Sequence, residues 1–508
     1  MKNVMVINMG LKSIRCIIFN QNGVKLGSYA IAINTAINDY CVEQDPNEWW
    51  EKAKLVMANS LKDAGKPYID FITVTSSASC LVCVDKNGNA LQRAYMVSDK
   101  RAEEEAKEIK STREFTNIYN ETGVDISSSL MLPKILWVKR HLSDIYDKTE
   151  FFMSPNDFLI YKLTGKCITD YCNAIKFHYD LEKKNYPIEL LKKLEIKITA
   201  FPEVVNIGEN IGNIISNVAD DAGLNREVKV VISSYDAICS FIGSGVNDEG
   251  EASDVSGTVT VFRTISNSAK KTSKVYNIPY YNENTNIIGG SNNLGGGLIE
   301  WVKQCYYLKD EYPYEIMEKE AAESDVGAKG LIFLPFLLGE RTPIWDSNAR
   351  GVFFGLERMH TRKDMTRAVF ESTGFIDLSI IDAIKEAGAE VNSVRLSGGL
   401  ARVNLISQIK ADVLGREVLV LSEFETTASG AAMIVLKGQG VYSDMKLIAD
   451  KFATIRMIIK PNMNNHQIYM SMYELYKESY TALKPLFEQR KNVVDKLNND
   501  KEIKIENL

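Results

Sequence analysis

The sequence lacks any run of about 20 apolar residues, the length needed to span a bilayer, so a membrane-spanning helix is excluded. The apolar stretch at the N-terminus, "VMVI", is too short for a signal-peptide core, and Asn8 and Lys12 follow at once. The reading predicts a cytoplasmic protein with no membrane partner. An excess of basic charge is also missing. Lys and Arg number 60 against 66 Asp and Glu, a net charge of -6, which argues against nucleic acid as the default partner. Histidine is scarce: the four (His141, His178, His360 and His466) are far apart, and none sits in a metal-ligand pattern. The eight cysteines are scattered, and only Cys80 and Cys83 have the C-x-x-C spacing. They lie in "ASCLVCVD", which reads as a strand. Side chains three apart on a strand point to opposite faces. Small buried hydrophobes is therefore a better reading than a metal or redox pair.

What is present is a soluble globular composition, 45% hydrophobic and 25% charged, spread over 508 residues. That length exceeds one ordinary core and predicts two domains. The chain opens with strand-like segments "VMVINMG", "SIRCIIFN" and "KLGSYAIAI", the last two joined by the turn "NQNG". Helical stretches follow. "DKRAEEEAKEIKSTREF" reads as one charged amphipathic helix, and "LPKILWVKRHL" has apolar spacing near 3.6. "SPNDFLIYKLTG" starts on a Ser-Pro entry signal and stops at Gly165. From about residue 229, "VKVVISSYDAICSFIGSGV" gives a strand, a short connection and a small-residue helix. "EASDVSGTVTVFRTI" then gives strand, Gly-Thr turn and strand, an echo of "VMVINMGLKSIRCIIF". Such a duplication predicts one phosphate-facing turn per half. Later, "SVRLSGGLARVNLISQIKADVLG" runs from a strand through Gly398-Gly399 into a helix, where backbone can approach an anion or a base edge. "TTASGAAMIVLKGQG" is a small-residue helix suited to close packing, and "KNVVDKLNNDKEIKIENL" is a charged tail, read as a solvated helix end or frayed coil.

Asp236 is the candidate that carries chemistry. It ends a strand and opens a helix, where a carboxylate can accept a hydroxyl proton and direct the oxygen at a phosphoryl group. It could equally cap that helix. Asp254 and Asp99 are candidates by composition, with nothing local to separate them from surface carboxylates. "LPFLLGERTPIWDSNARGVFFGL" sets Glu340, Arg341, Asp346 and Arg350 among apolar residues. Unpaired buried charges are costly, so the expectation is an ordered, ion-paired loop rather than a catalytic one.

Taken in order, "VEQDPNEWW", "LPKILWVKRH", "NDFLIYKLTG", the long "LPFLLGERTPIWDSNARGVFFGL", "RLSGGLARVNLISQIKADVLGREV" and "TTASGAAM" resemble the FGGY family of carbohydrate kinases, especially its xylulokinase and gluconokinase branches. The resemblance runs from the opening hairpin to about Tyr442. It implies an α/β, actin-like ATPase fold: two ribonuclease-H-like domains flanking a cleft, 1–242 mainly for sugar and 243–485 mainly for ATP, with a charged tail at 486–508. The implied reaction is transfer of the ATP γ-phosphoryl to a sugar hydroxyl with Mg²⁺; a ketopentose such as xylulose or a sugar acid such as gluconate leads by family weight. Family members are often homodimers. By position, Asp236 looks like the family's base and also faces the sugar. Gly10 and Ser13 look like the first phosphate turn and Gly257 and Thr258 like the second. Gly398, Gly399 and Asn404 look like the adenosine-side residues.

The sequence departs from the family pattern in places. The first turn usually reads Asp-x-Gly-Thr-(Thr/Ser)-Ser; here it is Asn8-Met9-Gly10-Leu11-Lys12-Ser13. Asn8 stands, as a weak metal candidate, where an aspartate helps hold hydrated Mg²⁺, and Mg²⁺ prefers carboxylate and phosphate oxygens. Lys12 either grips phosphates, as P-loop lysines do, weakens the metal by its charge, or points to solvent. At the sugar end, Ala78-Ser79 replace a Met-His pair, Val97-Ser98-Asp99 replace Trp-x-Asp, and Ser233-Ser234-Tyr235 replace glycines. Ala78, Ser79 and Asp99 are the substrate-binding candidates of this rebuilt pocket. The alternative to an active kinase is a degenerate one that binds nucleotide or sugar as a sensor or partner without turnover.

Overall fold

The computed structural model of the protein describes residues 1–122, 124–280, 285–423 and 425–506. The chain divides into two compact units: Met1–Gly245 with Glu425–Thr454, and Val246–Phe424 with Ile455–Leu508. The first unit is built on a six-stranded sheet. Its strands are β1 (Asn3–Met9), β2 (Ser13–Asn20), β3 (Lys25–Ala32), β4 (Phe71–Ser76), β5 (Asn210–Asn213) and β6 (Lys229–Val231), in the order β5-β6-β4-β1-β2-β3. β1 through β3 form an antiparallel meander, while β1, β4 and β6 run parallel. β1 is buried over Val4–Ile7, because helices cover both faces of a parallel core and leave no side for polar residues.

The second unit repeats the plan with β7 (Gly250–Ser256), β8 (Thr260–Ser266), β9 (Tyr276–Pro279), β10 (Asn286–Ser291), β11 (Val391–Gly398), β12 (Glu417–Leu421) and β13 (Ile455–Ile459). The order is β9-β10-β8-β7-β11-β12-β13, with β7, β11 and β12 parallel. An antiparallel meander beside parallel strands thus occurs once per unit, and the strand–turn–strand echo read from the sequence marks the start of each.

Local signals act as expected at several helices. Asp45 caps the helix Pro46–Asp63 by accepting from the Asn47 N–H, with proline at its first position. That helix buries Trp49, Ala53, Val56, Met57, Ser60 and Leu61, one face at helical spacing. Ser154 and Asp157 form a reciprocal capping box on Pro155–Thr164, and Gly165 ends it in the left-handed conformation. Cys80 and Cys83 are both fully buried, in different apolar clusters of the first unit. Burial pushes their thiols up, to about 11 and about 12.

One sequence expectation is corrected. The charged stretch 99–115 is not one helix but two, Glu103–Lys110 and Arg113–Thr122. The Thr112 hydroxyl accepts from the Phe115 N–H and starts the second. The stretch Glu425–Thr454 packs with the first compact unit. Its helix Thr426–Gly438 packs on the helix Asp236–Gly243, with Gly430 against the backbone of Cys239 and Gly243. Of the two readings of the tail, the helix end is the one found: from 486 it continues the helix Met463–Glu506, anchored by buried Tyr469, Tyr473, Tyr476 and Phe487; its last two residues, 507 and 508, lie outside the described residues. Among the described residues no helix is long and apolar enough to cross a membrane.

Candidate active site

In the first unit the parallel strands β1, β4 and β6 end on one side of the sheet, the side where open α/β sheets bind ligands. β1 leaves through Gly10, whose N–H donates to the Ser13 carbonyl at 3.0 Å and closes a tight bend into β2. Leu11 and Lys12 at the tip are exposed. Buried Gln44 fixes the bend from beneath. Its amide donates to the Leu11 carbonyl at 2.8 Å and to Thr35 Oγ1 at 2.9 Å, and its oxygen accepts from Trp49 Nε1 at 2.9 Å. Asn8 is half-buried, level with Arg15 on β2 and Thr75 on β4. Arg15 donates to Ser13 Oγ at 3.3 Å and is ion-paired with Glu425 at the start of the Thr426–Gly438 helix.

Asp236 lies at the matching end of β6. The helix Asp236–Gly243 is capped at Tyr235 with no side-chain bond, so Asp236 is the first helical residue rather than the cap. Ser77, just past β4, donates its hydroxyl to Asp236 Oδ2 at 3.3 Å, and the Ser77 N–H donates to the Met9 carbonyl at 3.3 Å. The bend of β1, the end of β4 and Asp236 are thereby tied together.

The connection into Asp236 is held residue by residue. Ser233 Oγ donates to the Val74 carbonyl at 2.7 Å, and Ser234 Oγ donates to Asp170 Oδ1 at 2.8 Å. The Lys176 ammonium lies 5.1 Å from the centre of the Tyr235 ring. Asp170 also accepts from the Cys172 and Asn173 N–H groups at 3.0 and 3.1 Å. Its complete burial pushes the carboxyl up to about 6, against the opposing pull of the Ser234 bond.

Of the substrate-side candidates, Ser79 is buried with a positive φ of 62°. Its carbonyl accepts from Lys134 Nζ at 2.6 Å; the same ammonium donates to the Met96 carbonyl at 2.8 Å and the Ser129 carbonyl at 3.3 Å. Burial pushes Lys134 down to about 8. The neighbouring Ala78 is half-buried. Asp99 is a correction. It is fully buried, and both oxygens are taken: Oδ1 by the Arg101 N–H and Nε at 3.1 and 2.8 Å, Oδ2 by Arg101 Nη2 at 2.8 Å and the Val42 N–H at 2.7 Å. It braces the fold and has no oxygen left to offer a sugar. Ser77, Lys134 and Asp170 were missed by sequence reading. Nothing in their neighbouring residues marks them, since each acts on a segment 38 to 159 positions away.

In the second unit, Gly257 and Thr258 form the bend between β7 and β8. Their carbonyls accept from the N–H groups of Gly296 (2.7 Å) and of Gly295 and Gly297 (2.8 and 3.1 Å). Gly398, opposite Ser256 in register, has a φ of +84°, and a Cβ there would lie 2.5 Å from the Ser256 carbonyl. Only glycine fits that approach. Gly399 begins a 3-10 turn, and exposed Asn404 opens the helix Asn404–Leu414. These five candidates therefore gather at the adjoining ends of β7 and β11. Beneath them lies Asp254, which is not a surface carboxylate. It is fully buried, accepts from Ser256 Oγ at 2.5 Å, and shares buried Lys410 with Asp377.

The loop 334–356 is ordered but not ion-paired as expected. Glu340 accepts from the Asn293 and Arg341 N–H groups, Asp346 from the Asn348 and Ala349 N–H groups and the Tyr480 hydroxyl, and Arg350 donates to carbonyls. Backbone dipoles at turns do what opposite charges were expected to do.

Two ribonuclease-H-like units, one with a carboxylate at its strand ends and one with paired glycine bends, define an actin-like phosphotransferase scaffold. Residues 3–243 match the N-terminal domain, and residues 252–437 the C-terminal domain, of the FGGY family of carbohydrate kinases. The chain belongs to that family. It is 28% identical over 486 residues to a xylulose kinase of Staphylococcus xylosus, covering 94% of this chain and 100% of that one. It is 24% identical to a gluconokinase of Bacillus subtilis, covering 94% and 96%. In fold it resembles a ligand-bound xylulose kinase of Lactobacillus acidophilus, with a TM-score of 0.89 over 96% of this chain and all of the other, at 24% identity.

Proposed function

We propose that the protein transfers the γ-phosphoryl group of ATP to a hydroxyl of a small sugar, a ketopentose such as xylulose or a sugar acid such as gluconate. The observation that carries this reading is Asp236, a carboxylate at the first position of a helix at the ends of β1, β4 and β6, steadied by Ser77 on one oxygen. The carboxylate accepts the hydroxyl proton as the sugar oxygen attacks the γ-phosphorus, and ADP leaves. Ala78 and Ser79 border the acceptor. Gly10, Lys12 and Ser13 serve as one phosphate turn and Gly257 and Thr258 as the other, with Gly398, Gly399 and Asn404 on the adenosine side.

Among the described residues no three His, Cys, Asp or Glu side chains gather as a metal cage. Mg²⁺ needs none, since it keeps several waters and binds through one or two carboxylates plus substrate phosphates. Asn8, half-buried on β1 beside β4, would offer one neutral oxygen toward that limited role. The ion, when bound, neutralises phosphate charge. The reading places the enzyme in the cytoplasm, working as a homodimer in the manner common in the family.

The test is ADP release with pentoses, hexoses, polyols and sugar acids, given ATP and Mg²⁺. Sugar-dependent ADP is expected, and Asp236→Asn should abolish it. Folded protein that turns over no acceptor refutes the reading. Asn8→Asp combined with Lys12→Thr then reports on the first turn: a large gain in rate means these residues weaken the metal, and a loss means the turn depends on them.

A further inference from the structure

Resting on the reading of Asp236 as the base, we propose that Ser234 and Asp170 are positioning residues that aim its carboxylate through the connection they anchor. Four residues, Ile232 to Tyr235, separate β6 from Asp236. Over that span the side chains do what a strand ladder would otherwise do. Ser233 is tied to β4 through the Val74 carbonyl, and Ser234 is tied to Asp170. Both serines are buried, so neither hydroxyl can exchange its protein partner for bulk water.

Asp170 suits the task because it is itself fixed. It sits at the end of the strand Ile168–Asp170 and accepts from two N–H groups of the turn that follows. The Asp170–Ser234 bond therefore joins a rigid corner, 64 positions away in sequence, to a point two residues before Asp236. On the far side, Ser77 holds one carboxylate oxygen directly. Remove the Ser234 hydroxyl and the backbone entering Asp236 keeps Ser233 and the helix that follows but loses its lateral stop. Displacing a catalytic group by about 1 Å can cost about 100-fold in rate.

The test compares Ser234→Ala, Asp170→Asn, their double variant and Asp236→Asn, with kcat, both KM values and thermal midpoint measured for each. Asn keeps an acceptor oxygen at 170, so that variant remains informative even if removal of the side chain would prevent folding. Ser234→Ala is expected to lower kcat about tenfold with both KM values within about twofold, the pattern of an interaction expressed in the transition state. Asp170→Asn should lose less. The double variant should be no slower than Ser234→Ala, because both changes act on one bond. The proposal is overturned if Ser234→Ala retains kcat within about twofold while Asp236→Asn is inactive, an outcome that leaves the base intact. It is also overturned if KM for ATP rises in step with the loss of kcat, since that is general loosening. An Asp236→Asn enzyme as active as the wild type refutes the base itself, and with it this inference.

Discussion

Replacing Gly430 with alanine tests how the fold holds Asp236. Gly430 lies mid-way along the helix Thr426–Gly438, where it crosses the helix that begins at Asp236. A Cβ at position 430 would stand 1.8 Å from the Cys239 carbonyl oxygen and 2.6 Å from the Gly243 nitrogen. Real Cβ contacts essentially never fall below 3.0 Å, so the helices must part by at least about 1.2 Å. The atoms met are backbone, and no rotamer change relieves them. Forced insertions of this kind cost about 3 kcal/mol at the upper end of the usual range. Alanine returns at most about 1 kcal/mol through its better helix propensity. The net loss is about 2 kcal/mol, or roughly 4–8 °C in the thermal midpoint of a unit this size. Because Asp236 rides on the displaced helix, kcat should fall about 10- to 100-fold. Calorimetry and steady-state ADP release measure the two effects. Gly374→Ala in the helix Arg362–Glu386 is the comparator. The nearest atoms its Cβ would meet belong to the Val413 side chain, at 2.9–3.2 Å, so a shift of a few tenths of an ångström relieves them and the midpoint should fall less than in Gly430→Ala. If Gly430→Ala melts within about 1 °C of the wild type and keeps its kcat, the argument that this glycine contact seats Asp236 is wrong.

Two further outcomes follow from buried polar groups. Gln44→Leu removes both bonds that hold Leu11 and Thr35 and leaves the Trp49 N–H unpaired; denaturant titration should show a loss of about 2–3 kcal/mol, and KM for ATP should rise as the first bend loosens. Burial pushes the His178 imidazole down to about 4 from its ordinary 6.5. Its folded pKa lies below its unfolded one, so its contribution to stability is present above pH 6.5 and lost as pH falls through 4, at most about 3 kcal/mol. Buried Asp157 and Asp170, pushed up to about 7 and about 6, run the other way and favour folding as pH falls. Urea midpoints of wild type and His178→Asn across pH 4–7 isolate the histidine term; parallel curves would refute it.

Much of the architecture was legible because its signals are local. Capping at Asp45 and Ser154, the Gly165 stop, and the paired strand–turn–strand segments depend on residues a few positions apart. So does the glycine at 398, where a positive φ and a close approach to Ser256 leave one residue type. Asp236 was legible too, as a carboxylate at a strand-to-helix corner. The errors concern partners far along the chain. Asp99 and Asp254 looked alike in sequence, yet Arg101 and Val42 consume one while Lys410 and Asp377 bury the other. Glu340 and Asp346 were expected to pair with arginines, but nearby N–H groups at turns reached them first.

By itself, then, the sequence determined the two-fold α/β plan, the strand-end bends and the residue types that can carry phosphoryl transfer, because period, capping and turn chemistry operate within a few residues. Only tertiary structure decided which hydroxyl faces which carboxylate. Ser77 meets Asp236 across 159 positions, Ser234 meets Asp170 across 64, and Gly430 meets the Cys239 backbone from a helix far along the chain. A short-range hydrogen bond or a glycine contact is set by ångström-level proximity, and proximity between distant segments is fixed by how the sheets and helices pack.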